Sequence, residues 1–139
     1  MKETLEIYGQ DYDERLIPIF ADPNFLLPNL LGALNVEVKE NEFKGEIQMS
    51  ILFGRSTFLI YGNVIVSQNY VTYIINIPGY GPDKGGRIKI SISKGKITID
   101  IDLGIPIESL NSRQIKKKIK EFEKNANELI RIERIRRKI

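Results

Sequence analysis

The chain has no cysteine, no histidine and no tryptophan among its 139 residues. Without cysteine there are no disulfides, zinc–thiolate sites, iron–sulfur clusters or thiol nucleophiles. Without histidine the commonest general base, the commonest transition-metal ligand and any Ser-His-Asp triad are missing as well. The chemistry left open is a carboxylate site for Mg²⁺ or Ca²⁺, or proton transfer by Asp, Glu, Lys or Tyr. No run approaches the ~20 apolar residues of a membrane span, and Met1-Lys2-Glu3-Thr4 is unlike a secretion signal. The expectation is a cytoplasmic protein that is not an enzyme and uses no metal or cofactor.

What is present suits one globular domain over residues 1–139, with 42% apolar and 28% charged side chains. Isoleucine is abundant beside Lys, Glu and Arg, a usage that fits a thermophile. Charge is uneven. Residues 113 to 139 hold 11 of the 21 Lys and Arg but 4 of the 18 acids, so a basic segment follows a weakly acidic body.

Periodicity changes along the chain. Thr4 to Tyr8 alternates and stops at Gly9, a first strand. Asp11 stands three residues before Glu14, the spacing of a helix cap and its partner, and Leu16, Ile17 and Phe20 form one face of a short helix. Asp22-Pro23 ends it, and Phe25 to Leu31 reads as a second short helix or turn, interrupted near Pro28 and closed by Gly32. From Leu34 to Leu103 the period is two, giving six strands. Hairpin loops are expected at Asn41-Glu42, Gly54-Arg55-Ser56, Ser67–Asn69, Pro78–Gly86 and Lys94-Gly95. A helical stripe follows: Ile115, Ile119, Phe122, Ala126 and Leu129, capped by Asn111 or Ser112 and running to about Arg137. Only this helix is long enough to cover the sheet. The fold class is α+β.

This order, with Phe20-Ala21-Asp22-Pro23 and Leu30-Leu31-Gly32-Ala33 before a strand, resembles the helix-grip fold of the START/Bet v 1/polyketide-cyclase superfamily. Phe43-Lys44-Gly45-Glu46-Ile47, Phe53-Gly54 and Gly62-Asn63-Val64 are similar to its carbon-monoxide-dehydrogenase branch. The chain departs from that branch by carrying Asn29-Leu30-Leu31-Gly32 where Pro-Gly is common. Size and composition look most like a small thermoacidophile-restricted set of single-domain START-like proteins. The resemblance implies a seven-stranded curved antiparallel sheet wrapped around the C-terminal helix, with two short helices after the first strand. It also implies a carrier of long-chain fatty acids.

A curved sheet cannot press its whole concave face against one straight helix, so the gap becomes a ligand cavity. Its expected sheet lining is Met49, Ile51, Phe53, Phe58, Ile60, Gly62, Tyr73, Ile75, Ile90 and Ile99. Ile119, Phe122, Ala126 and Leu129 line it from the helix. Nearly every position is aliphatic or aromatic, so the cargo is apolar. Candidate partners for a fatty-acid carboxylate are Arg55, Tyr73, Tyr80 and Arg87. The same lining also reads as a solid core.

Asp100 and Asp102 share one face of their strand, opposite Ile99 and Ile101, and are expected to face solvent. The Pro78–Gly86 loop lacks the Gly-Lys-Ser/Thr ending of a phosphate cradle and reads as a mobile loop at the cavity mouth. Lys116, Lys117, Lys118 and Lys120, with Arg131, Arg134, Arg136, Arg137 and Lys138, suit transient contact with an anionic membrane. They also suit an adaptor or a nucleic-acid-binding module, although the outer sheet face lacks a basic, aromatic stacking platform. Ile132, Ile135 and Ile139 are candidates for a homodimer contact.

Overall fold

Strict alternation from Leu34 onward forces every second side chain to one face, and those faces meet in a single sheet. The structure, a computed structural model, describes the backbone of all 139 residues and the side chains of all but Ile51. Its strands are β1 (Lys2–Tyr8), β2 (Leu34–Lys39), β3 (Glu42–Ile51), β4 (Gly54–Val66), β5 (Tyr70–Asn76), β6 (Gly85–Ser93) and β7 (Lys96–Gly104). They form one antiparallel sheet in the order β1-β7-β6-β5-β4-β3-β2. Sequence neighbours pair from β2 to β7, and β1 closes on β7 with Leu5 opposite Ile99. The sheet is open and curved. The protein is α+β with a helix-grip architecture.

The helices all lie against one face. A 3-10 turn (Glu14–Leu16) leads into α1 (Ile17–Phe20), then α2 (Pro23–Leu31), while α3 (Glu108–Arg137) closes the chain. Asp13, not Asp11, caps the first turn by accepting from the Arg15 N–H. Asp22 caps α2 through the Asn24 N–H, and Gly32 ends it in the left-handed conformation at φ 72°. Helix α3 is 30 residues long, about 45 Å at 1.5 Å per residue. It starts earlier than its sequence suggests because Asn111 does not cap it. The Asn111 side chain turns inward instead and donates to the Pro106 carbonyl at 2.6 Å.

The core is continuous. The inner faces of β3 to β7 meet α1 and α2 (Ile19, Phe20, Leu26 and Leu30 among them) and the α3 stripe Ile115, Ile119, Phe122, Ala126 and Ile130. The stripe ends on Ile130, leaving Leu129 half-buried beside α2. Among the described residues, no helix is long and apolar enough to cross a membrane.

The β3–β4 hairpin is the main departure from expectation. Alternation through Ile47, Met49 and Ile51 points on to Phe53, but pairing stops at Ile51–Gly54 and Leu52-Phe53 form the turn. Phe53 therefore stands 94% exposed at the tip, outside any interior lining. Arg55 belongs to β4, not to a loop. At the next-but-one hairpin, Gly85 and Gly86 are part of β6, so the loop after Ile77 is shorter than Pro78–Gly86.

Candidate functional site

The concave sheet face and its helical roof bring together most of the expected lining. Met49, Phe58, Ile60, Tyr73, Ile75, Ile90, Ile99, Ile119, Phe122 and Ala126 are all buried in one cluster. Ile51 lies outside the described side chains. Phe53 and Leu129 fall outside the cluster's buried set, for the reasons above. Gly62 does face inward, but it leaves no hole. A Cβ there would sit 1.7 Å from the Ile74 carbonyl oxygen and 3.0 Å from Phe43 Cζ, so the glycine admits the β5 backbone.

Two features of the interior escape a reading of the sequence. Helices α1 and α2 share the roof with α3, through an aromatic chain. Phe20 meets Phe25 edge-on at 5.7 Å between centroids, and Phe25 meets Phe122 at 6.3 Å. The apolar run Phe25-Leu26-Leu27 is the available signal, although its length alone suggests no more than a short helix or turn. The second feature is Asn111, 2% exposed. Its Nδ2 serves Pro106, while its buried Oδ1 has no hydrogen-bond partner among the described residues.

The four candidates for a carboxylate partner do not converge. Tyr73 is central, but its hydroxyl donates to the Phe20 carbonyl at 2.7 Å, pinning α1 to β5. Burial pushes that phenol well above its usual range, so it stays protonated. Arg55 lies on the outer face, donating to Gln48 at 3.3 Å. Arg87 is exposed next to inward Ile88, on the outer face beside Asp102, and Tyr80 is exposed in the β5–β6 loop. Asp100 and Asp102 also face outward as expected, Asp100 accepting from Thr4 at 2.9 Å.

Tyr73→Phe tests the pin. Losing one buried hydrogen bond and orphaning the Phe20 carbonyl is expected to lower stability by about 1–2 kcal/mol, read as a lower urea midpoint with an unchanged slope. An unchanged midpoint would mean that α1 is held by apolar contacts alone.

The roof is also fastened at its far end. Arg137 near the end of α3 meets Asp22 at 2.6 Å and Glu133 at 2.8 Å, and it donates to the Pro18 carbonyl at 3.2 Å. Arg134 meets Asp11 at 2.8 Å, which engages Asp11 away from any capping role. Arg131 and Arg136 pair along the helix with Glu128 and Glu133. The arginines of the basic tail are thus engaged within the protein. Ile132 and Ile135 remain exposed among them, whereas Ile139 packs partly against the core.

One protein-family model matches the chain over residues 1–139. The chain belongs to that family. No curated protein matches it. Among solved structures, a hypothetical protein from Sulfolobus tokodaii has a TM-score of 0.81 at 20% identity, covering 99% of each chain. A conserved protein from Geobacillus kaustophilus gives 0.58 at 16% identity, over 95% of this chain and 92% of its own. A protein from Thermus thermophilus gives 0.56 at 16%, over 94% and 95%. Identities this low establish a shared fold and nothing further.

Proposed function

We propose that the protein binds and carries a hydrophobic ligand, with a long-chain fatty acid as first candidate, between the sheet and its helical roof. It catalyses no reaction. On this reading it is a START-like carrier of the helix-grip superfamily, working in the cytoplasm. The observation that supports it most is the character of the roof. Three helices cover an apolar sheet face through side chains, with polar tethers such as Tyr73–Phe20, Gln114–Ser50 and Arg137–Asp22.

The described interior side chains are buried together in one cluster, so loading would require the roof to lift. Burying an alkyl chain returns about 0.8 kcal/mol per methylene, which offsets the packing given up as the helices part. The ion pairs that fasten α3 to Asp11, ahead of the 3-10 turn, and to Asp22, the cap of α2, are where such an opening would start. Head-group preference follows from the donors and acceptors inside. Asn111 offers an acceptor, and the Tyr73 oxygen keeps a lone pair after donating its proton. Both suit a head group that donates, namely an un-ionised carboxylic acid or an alcohol. Among the described residues an ionised carboxylate finds no cation inside.

The test is displacement of a fluorescent long-chain fatty acid from delipidated, folded protein by an acid, an alcohol and an alkane of equal length. Saturable binding is expected, with acid and alcohol displacing better than alkane. Ala126→Phe places a ring inside the cluster and is expected to abolish binding while costing about 1–3 kcal/mol of stability. Circular dichroism confirms that the variant is folded. Absence of binding by the folded wild type would overturn the carrier. It would leave the adaptor or nucleic-acid reading, which rests on the cations along the first half of α3.

A further inference from the structure

One end of the molecule carries exposed apolar side chains and unpaired cations side by side. At the β3–β4 tip Leu52 is 88% exposed and Phe53 94%. The tip is fixed to α3, because Gln114 Oε1 accepts from the Ser50 N–H at 2.9 Å and Nε2 donates to the Ser50 carbonyl at 2.8 Å. One turn before Gln114 stands Leu110, 60% exposed, and just before the helix Ile107, 52% exposed. Four large apolar residues thus face water around the start of one helix.

The same helix continues with Arg113, Lys117, Lys120 and Lys124, lining an open groove in which Glu121 is the one carboxylate. None of these four cations has an acidic partner within 4.0 Å among the described residues, and Lys116 reaches Glu3 only at 3.8 Å. The contrast with the helix's other end is complete for the arginines. Arg131, Arg134, Arg136 and Arg137 are all ion-paired.

We propose that this end docks on an anionic lipid bilayer. Leu52, Phe53, Ile107 and Leu110 enter the interfacial layer, and Arg113, Lys117, Lys120 and Lys124 lie along the headgroup phosphates. Apolar side chains beside a cationic face are what interfacial binding requires, since insertion and electrostatic attraction add. A nucleic acid would engage the cations and could stack on Phe53, but it would leave the aliphatic Leu52, Ile107 and Leu110 without a role. The proposal goes beyond cargo binding and holds whatever the cargo is.

The full chain is sedimented with vesicles of phosphatidylcholine, alone and enriched in phosphatidylglycerol. Binding is expected only to the anionic vesicles and to weaken with added salt. Lys117→Gln with Lys120→Gln is expected to reduce partitioning roughly fivefold per residue. Leu52→Ser with Phe53→Ser is expected to reduce it about tenfold, and both pairs should leave the melting temperature unchanged. Arg131→Gln with Arg136→Gln removes the same charge from the paired end and is expected to leave binding near wild type.

Equal losses in that control pair would reduce the effect to net charge and overturn the docking face. No preference for anionic vesicles would do the same. So would duplex DNA binding that depends on the lysines and ignores the tip. Retained fatty-acid displacement by the Leu52→Ser/Phe53→Ser protein separates a failure of docking from a failure of the carrier.

Discussion

Gly62→Ala is expected to cost about 3 kcal/mol or more, a large share of the ~5–15 kcal/mol that holds a domain of this size. Gly62 faces inward on β4 and pairs with Ile75 of β5. The added methyl would lie 1.7 Å from the Ile74 oxygen and 2.9 Å from its carbon. Both are backbone atoms, so no rotamer change relieves the overlap and the two central strands must part. The melting temperature should fall by about 10 °C or more. Gly45→Ala is the control on the neighbouring strand. Its Cβ would meet Val36 Cγ2 at 3.3 Å, the end of a side chain that can shift, and a loss within about 1 kcal/mol is expected. Equal losses at the two positions would show that β4 and β5 do not approach as closely as described.

That glycine marks a boundary between what a sequence pattern carries and what only packing decides. Every strand is legible, because one buried face imposes a period of two and a slip of one residue would turn Ile88, Ile90 and Ile92 out to solvent. The long helix is legible for the same reason at spacings of four and three. A missing side chain, however, looks identical whether ligand or backbone fills its place, and only the packed structure distinguishes them. Phe53 departs for a different reason. It shares parity with Met49, but a two-residue turn ends the ladder just before it, and local sequence carries no rule that puts Leu-Phe at such a tip.

The candidate site divides along the same line. Apolar lining residues can be found because burial leaves a pattern. Carboxylate partners can be chosen only by residue type, and parity then sends Arg55 and Arg87 to the outer face. Asn111 reads as a cap because asparagine at a helix start usually is one. Its inward turn depends on Pro106, whose carbonyl it takes, and on a helix that begins three residues earlier. Asp11 and Asp22 read as purely local signals too. Their partners Arg134 and Arg137 lie more than a hundred residues away, beyond any window of local pattern.

Phe122→Ala bears on both stability and function, and it carries the second large effect. The ring is 1% exposed and packs edge-on against Phe25 at the meeting of α3 and α2. Truncating a buried phenylalanine costs about 3–5 kcal/mol, part of it for the void left behind. Read by urea unfolding, the loss should appear as a lower midpoint at constant slope. The void would be lined by aliphatic and aromatic groups, and such cavities stay dry and accept apolar guests. A ligand at about one hundred times its dissociation constant restores about 2.7 kcal/mol, so the measurement is repeated with a long-chain fatty acid. A carrier is expected to show stabilisation by the acid in the wild type and at least as much in Phe122→Ala, since the missing ring lies on the path the chain would take. If the acid stabilises neither protein while a small aromatic stabilises only the variant, the interior is an ordinary core into which the substitution has cut a hole. The roof would then be a fixed layer rather than a lid, and the cations of α3 would be the place to look for function.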